Sequence, residues 1–314
     1  MPRPPRPARS PRRRLAPLGP LLLAASLAAA PAALPVRAAG VLESTARSGQ
    51  LRMGAQADQP PLIFRDASGQ WVGYAVDVGR AIAAELALAL GRPVQLEVEP
   101  AAARDLAGGV AEGRLQLVCG VPFSWEGDMR VDYSLPIGVS SLRLLTPAGG
   151  LDGSPDSLRG RRIGVVNGSL AATELQGLQP AARPVSFASL PEAFAALQAG
   201  KVEGVIGDST LLAGLVKTRG ATNLALLPEE PYEVYAVTCM LPENDSSFRN
   251  LVNLAIARRL QAYVDGEPST VAAVHRWVGP GGLRELSPDQ IRGVFEMVLS
   301  TVETLRPLPP PAAN

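Results

Sequence analysis

The side chains that most often carry out chemistry are scarce in this chain. Its 314 residues include one histidine, His275, and two well-separated cysteines, Cys119 and Cys239. A zinc cluster needs several Cys, His or carboxylate ligands together, and a Ser-His-Asp site needs a base beside its nucleophile. Neither can be assembled here without leaning on His275 alone. That residue sits in VAAVHRWVG, where packing on a helix is the commoner duty. GRRIGVVNGS lacks the G-x-G-x-x-G spacing of a dinucleotide site. No cofactor is expected. What remains is the chemistry of recognition. Ser169 opens the helical run LAATELQGL, and Asp208 opens STLLAGLV. Free N–H groups and the dipole at a helix start attract an anion, which a hydroxyl can help to hold. Both residues also have a plain structural duty as helix caps.

The elements that would position them alternate. Leu51 to Ala55 reads as a strand. Val78, Ile82, Leu86 and Leu90 recur at helical spacing, with Asp77 as a cap and Gly91 as a stop. Val94 to Val98 is a strand, 101–112 a helix and Leu115 to Cys119 a strand again. The pattern breaks at VDYSLPIGVSSLRLLTPAG and restarts from Arg161. Such β–α–β alternation implies parallel strands with crossover helices. One device occurs twice, as EGRLQLVCGV and AGKVEGVIGD. In each a helix stops at a glycine followed by a basic residue, Gly113–Arg114 or Gly200–Lys201, and a short apolar strand follows. The expected architecture is therefore α/β with two lobes. Ligands bind beyond the carboxyl ends of strands in open α/β sheets. Two such edges facing each other make a cleft, with Val118–Gly120 opposite Gly207–Asp208.

Composition narrows the setting. A net charge of +1 offers no basic face for nucleic acid. Six arginines fall within the first 14 positions, followed by LLLAASLAAAPAAL and PVRAAG. This is the layout of an export signal over residues 1–39, cleaved near Ala38 or Ala39, and the protein is expected in the periplasm. In an exported chain two cysteines can form a disulfide. Cys119 and Cys239 each fall at a strand end, and the reading leaves a bond and two buried thiols equally open.

Six segments in order, GQWVGYAVDVGRAIA, EGRLQLVCG, VDYSLPIG, LRGRRIGVVNGS, LQAGKVEGVIGDSTLLAG and YAVTCMLPENDSSF, resemble the bacterial extracellular solute-binding proteins of family 3. These are periplasmic receptors of amino-acid ABC transporters. GYAVD, VCG, RLLTP, LLAG and CML resemble the glutamate/aspartate-binding branch in particular. The resemblance covers roughly residues 49–277. It implies a type II two-lobed fold, with lobe 1 over 45–141 plus 243–280 and lobe 2 within 142–242. The hinge strands would be Leu142 to Thr146 and Val237 to Leu241. Residues 281–314 would form a helical extension and a proline-rich, disordered tail. Partners implied are a small polar, amino acid-like solute and a membrane ABC permease, with the receptor acting as a monomer.

The same resemblance assigns roles. Asp208 matches the acidic residue that meets a ligand ammonium, and Ser169 the hydroxyl beside its anion. The pattern for the carboxylate-binding arginine is Thr-x-x-Arg, then an aromatic and Ser beginning six residues after the arginine. Here SWEGDMRVDYS puts Ser124 at the threonine and Gly127 at the arginine. Gln56 stands where the acidic-ligand branch has another arginine. Gln56, Ser124 and backbone N–H groups near Gly120 are neutral donors that suit a less acidic ligand or weaker binding. Phe64, Tyr74, Phe123 and Trp125 are expected on loops rimming the cleft, with Tyr74 touching the ligand; packing is the commoner role for any one of them. Some relatives are dehydratases using one pocket carboxylate, which Glu126 or Glu174 would have to supply. The leading expectation is a transport receptor and no enzyme. The alternatives are such a dehydratase-like enzyme, or a degenerate sensor that no longer binds amino acids.

Overall fold

The computed structural model describes residues 40–301; the expected export signal and the proline-rich tail lie outside the described residues. The chain starts with α1 (Val41–Ser48), turned by left-handed Gly49 into β1 (Gln50–Ala55). The hairpin β2 (Phe64–Arg65) and β3 (Trp71–Val72) leads into α2 (Tyr74–Leu90). That helix begins three residues earlier than Asp77, because Gly73 supplies the corner. Gly73 has φ 129°, and a Cβ there would strike the Leu62 carbonyl. Asp77 is not a cap. Its Oδ2 accepts from Trp277 Nε1 at 2.8 Å, and its Oδ1 pairs with Arg80 at 3.0 Å. Gly91, with φ 63°, ends the helix as expected.

After α2 come β4 (Gln95–Pro100), α3 (Ala103–Ala111), β5 (Val118–Pro122), the one-turn α4 (Trp125–Asp128), β6 (Asp132–Tyr133) and the long β7 (Gly138–Pro147). The alternation resumes with β8 (Arg162–Val166), α5 (Leu170–Leu178), β9 (Arg183–Phe187), α6 (Leu190–Gln198), β10 (Gly204–Asp208) and α7 (Ser209–Thr218). Then follow β11 (Leu224–Leu227), β12 (Glu233–Leu241), α8 (Ser246–Val264), α9 (Pro268–Val278) and α10 (Pro288–Ser300). Gly113 and Gly200 both take left-handed φ, at 73° and 66°, where α3 and α6 stop. The repeated device is thus built alike twice.

The two lobes are two parallel sets of strands. In one, β4 pairs with β1, and β1 bridges, Met53 to Leu117, to the residue just before β5. In the other, β9, β8 and β10 run parallel. Between them β7 and β12 pair antiparallel, Gly138 to Leu142 against Val237 to Glu233. This ribbon begins four residues earlier along β7 than expected. Pro136 and Gly138 read as breaks in the sequence, yet Gly138 is already in register with Val237.

One apolar cluster runs through both lobes. It includes Leu51, Met53, Ile82, Leu86 and Phe248, all fully buried, and also Leu212 and Leu215 of α7. Burying each such side chain stabilises by about 1.5–3 kcal/mol. A smaller cluster of Leu142, Leu144, Ile163, Val165 and Leu175 lies under α5. Cys119 and Cys239 face each other across β5 and β12 and are joined by a disulfide.

Candidate ligand cleft

Strand register aims the site. β5 runs antiparallel to β12 and ends with Pro122 opposite Val237, which itself faces Gly138. β10 runs antiparallel to β7 and ends with Asp208 opposite Leu142. The carboxyl ends of β5 and β10 therefore point at each other along the ribbon. The rows at 138 and 142 are four residues apart, about 13 Å at ~3.3 Å per residue. That is the span of a small solute with its contacts. The middle of the window is the pair Ser140 and Tyr235.

On the β10 side, each polar group already has protein partners. Asp208 Oδ1 accepts from the Thr210 and Leu211 N–H groups at 2.8 and 3.0 Å, capping α7. Its Oδ2 accepts from Tyr235 Oη at 2.7 Å. Burial pushes the Asp208 carboxyl pKa up; bonds from Tyr235, Leu211, Ser140 and Thr210 pull it back. A carboxylate has about four acceptor sites, so these donors nearly fill it. Tyr235 is raised in turn, by burial and by the charge of Asp208. Ser140 Oγ also lies 3.0 Å from Thr210 Oγ1, and Ser141 Oγ lies 2.8 Å from Ser209 Oγ. Ser169 caps α5, accepting from Ala172 N at 3.3 Å and donating to Val166 O at 2.7 Å. Tyr235, Ser140 and Thr210 were not singled out from the sequence. They are ordinary residues in it; the pairing of β7 with β10 and β12 brings Ser140 and Tyr235 to Asp208, whereas Thr210 meets it locally in the first turn of α7.

The β5 side is built differently. Gly120 has φ 86° and lies against Ala75 and Leu62, a close approach suited to glycine. Ser124 caps α4 by accepting from Gly127 N at 3.0 Å. A Cβ at Gly127 would collide with the Tyr133 hydroxyl. The Tyr133 side chain thus fills the space beside Gly127. Gln56 Oε1 accepts from Gln59 Nε2 at 2.7 Å.

Of the four aromatic residues expected on loops, Phe123 lies on one, and Phe64, Tyr74 and Trp125 lie in β2, α2 and α4. Tyr74 is the first residue of α2 and fully buried, not a loop residue; its hydroxyl donates to Ile137 O at 2.6 Å. Burial pushes its pKa up to about 12. Tyr74 instead lines a cavity of about 60 Å³, together with Leu62, Val139, Thr210 and Val237. Leu286, Ile291 and Phe295 from the C-terminal extension close that cavity. Phe64 packs edge-on against Trp277. Phe123 packs edge-on between Trp125 and Tyr133, and Trp125 is exposed. His275 bonds Tyr263 at 2.9 Å within the helices, away from these groups. Among the described residues no three Cys, His, Asp or Glu side chains cluster as a metal site.

The lobes also touch beside the site. Arg219, just after α7, pairs with Asp58 at 2.6 Å. Gly214 lies so close to the Pro60 carbonyl that a Cβ would overlap it.

Residues 51–263 match the model of the bacterial extracellular solute-binding proteins, family 3. The chain belongs to this family. Within family 3, it is 26% identical over 283 residues to a glutamate/aspartate import solute-binding protein of Salmonella typhimurium, covering 88% of this chain and 90% of that one. Among solved structures, an ancestral arginine-binding protein bound to arginine superposes with a TM-score of 0.65 at 22% identity, over 74% of this chain and 99% of that one. An ancestral amino acid-binding protein that is a precursor of cyclohexadienyl dehydratase gives 0.65 at 21% identity, over 77% of this chain and all of that one. These likenesses establish the type II two-lobed fold for this family 3 chain.

Proposed function

We propose that this protein is the exported substrate-binding component of an ABC transporter, taking an amino acid or a related small polar solute. The observation that carries the reading is the register that sets the ends of β5 and β10 face to face across a two-strand ribbon. A solute held there would contact Gly120, Ser124 and Gln56 from one lobe and Ser169 and Asp208 from the other. Closure would bend the ribbon, the hinge motion known for periplasmic binding proteins. Lobe 1 is then 45–141 plus 243–280, lobe 2 lies within 142–242, and residues 1–39 are the export signal. The closed complex would dock, as a monomer, on a membrane permease. Names of relatives that import amino acids favour transport over catalysis. One observation favours the degenerate-sensor alternative: the acceptor sites of Asp208 are nearly filled from within.

Calorimetric titration of the purified mature protein with the twenty amino acids separates these readings. Saturable binding of at least one, with a more compact scattering curve, supports the receptor. Absence of heat for all twenty with unchanged scattering overturns it. Conversion of a bound solute during incubation would instead show an enzyme.

A further inference from the structure

Glycine in the middle of a helix is destabilising relative to alanine. α7 nevertheless carries Gly214 in its interior. Thr210, Gly214 and Lys217 are spaced i, i+4, i+7 and so share one side of that helix. Each meets a group outside lobe 2. Thr210 lines the cavity that Leu62 and Tyr74 wall from lobe 1. Gly214 lies against the Pro60 carbonyl, which a Cβ would overlap. That obstacle is backbone and cannot swing aside like the end of a flexible side chain. Lys217 donates to Gly282 O at 2.8 Å and to Glu285 Oε1 at 2.5 Å. The turn that receives Lys217 is fixed to lobe 1. Its Arg284 N–H donates to Trp277 O at 3.0 Å and its Leu286 N–H to Val278 O at 3.3 Å. Trp277 is itself held by Asp77 of α2. Beyond the turn, Phe295 of α10 packs edge-on against Tyr263 of α8, with ring centroids 5.1 Å apart. α7 therefore touches lobe 1 at two places, the loop at 58–62 and the turn at 282–286, and its first turn is capped by Asp208 in the cleft. The family model ends at residue 263, so the second contact lies beyond it.

We propose that the Thr210–Gly214–Lys217 side of α7 is an interlobe contact that sets how closely the two lobes approach, with Gly214 and Lys217 as positioning residues for solute binding. They touch no solute; they fix where α7 carries Asp208 relative to the end of β5. The inference deepens the receptor reading and rests on it. The contact is made in the arrangement that sets the ends of β5 and β10 face to face. A solute gripped from both lobes binds that arrangement best. Loosening the contact lowers the competent fraction, and apparent affinity falls by the same factor.

Gly214→Ala is the sharpest variant, because it improves α7 as a helix while obstructing the approach of the lobes. The control is Gly177→Ala in α5, a helical glycine with nothing within 4 Å of a Cβ. Each variant is titrated calorimetrically with the twenty amino acids and melted to report folding. The lobe separation is read without solute, by pulsed EPR between spin labels at Glu112→Cys and Lys201→Cys, one exposed position on each lobe. Gly214→Ala is expected to shift the label distance and to weaken every amino acid that the wild type binds by about tenfold or more. Gly177→Ala should leave the distance unchanged and affinity within about twofold. Lys217→Met removes an exposed ion pair and should weaken binding by about two- to fivefold, with Lys217→Arg restoring it. A folded Gly214→Ala protein with unchanged distance and affinity overturns the inference and leaves the receptor reading standing. If Gly214→Ala does not fold, unchanged affinity in Lys217→Met overturns it alike. A wild type that binds none of the twenty removes the receptor reading and this inference with it.

Discussion

The two halves of the cleft obey different rules. On the β10 side, Asp208 and Ser169 both start helices, α7 and α5, and each side-chain oxygen accepts from backbone N–H groups of its helix. Their proposed ligand role coincides with a folding role, so the residue type is doubly required. On the β5 side the corresponding groups stand around α4, a single turn with no buried residues. An arginine at position 127 would serve a ligand but no helix, and glycine is found there with Tyr133 filling the space. The comparison teaches that Asp208 and Ser169 are required by their helices as well as by any solute, whereas position 127 answers only to its packing against Tyr133.

The largest expected effect tests the β5 side. The Cys119–Cys239 disulfide ties β5 to the ribbon and closes a loop of 120 residues. Loop-closure entropy for that length gives about 4–5 kcal/mol, so Cys119→Ser/Cys239→Ser should lose that much in urea unfolding. A loss below about 1 kcal/mol would mean the cross-link does not hold this half in place.

Next comes Asp208. Asp208→Ala removes a cap and orphans the Tyr235 hydroxyl, at a cost of about 2–4 kcal/mol. Asp208→Asn keeps a capping oxygen and should cost far less, yet it should weaken any solute held by its ammonium. The two variants separate the folding role from the binding role. Acidity adds a second readout. The folded carboxyl has a raised pKa, so it holds its proton more tightly than the unfolded one. Its contribution to stability is therefore full at low pH and is lost as pH rises through the folded value. In Asp208→Asn that part of the pH dependence should vanish; an unaltered profile would show that burial does not govern the group.

The smallest effect concerns Gly127. Gly127→Arg alone must displace the Tyr133 hydroxyl and should cost about 1–3 kcal/mol by overpacking. Adding Tyr133→Phe removes the obstructing oxygen, so the double variant should recover part of that loss. If the double variant also gains amino-acid affinity, the β5 half lacks only its arginine. If Gly127→Arg folds as stably as the wild type, the Tyr133 contact does not close the position.

Much of this protein is legible in its residues. Apolar spacing marks α2, α5 and α7, glycines with left-handed φ stop α3 and α6, and six ordered segments identify the family. These signals are local: each is satisfied within a turn or a strand, where hydrogen-bond geometry and side-chain period act between near neighbours. Asp77, read as a cap, became a partner of Trp277 because Gly73 alone could make the corner two residues before Ala75. The pairing of Tyr235 with Asp208 and the burial of Tyr74 have no such local signal. They follow from which strands share an edge and how the chain returns over the ribbon. The sequence by itself determined that two α/β lobes form and which residues start their helices. Tertiary structure alone decided which side chains meet between the lobes, because contacts between distant segments depend on register and packing of the whole, and no short stretch of residues encodes either.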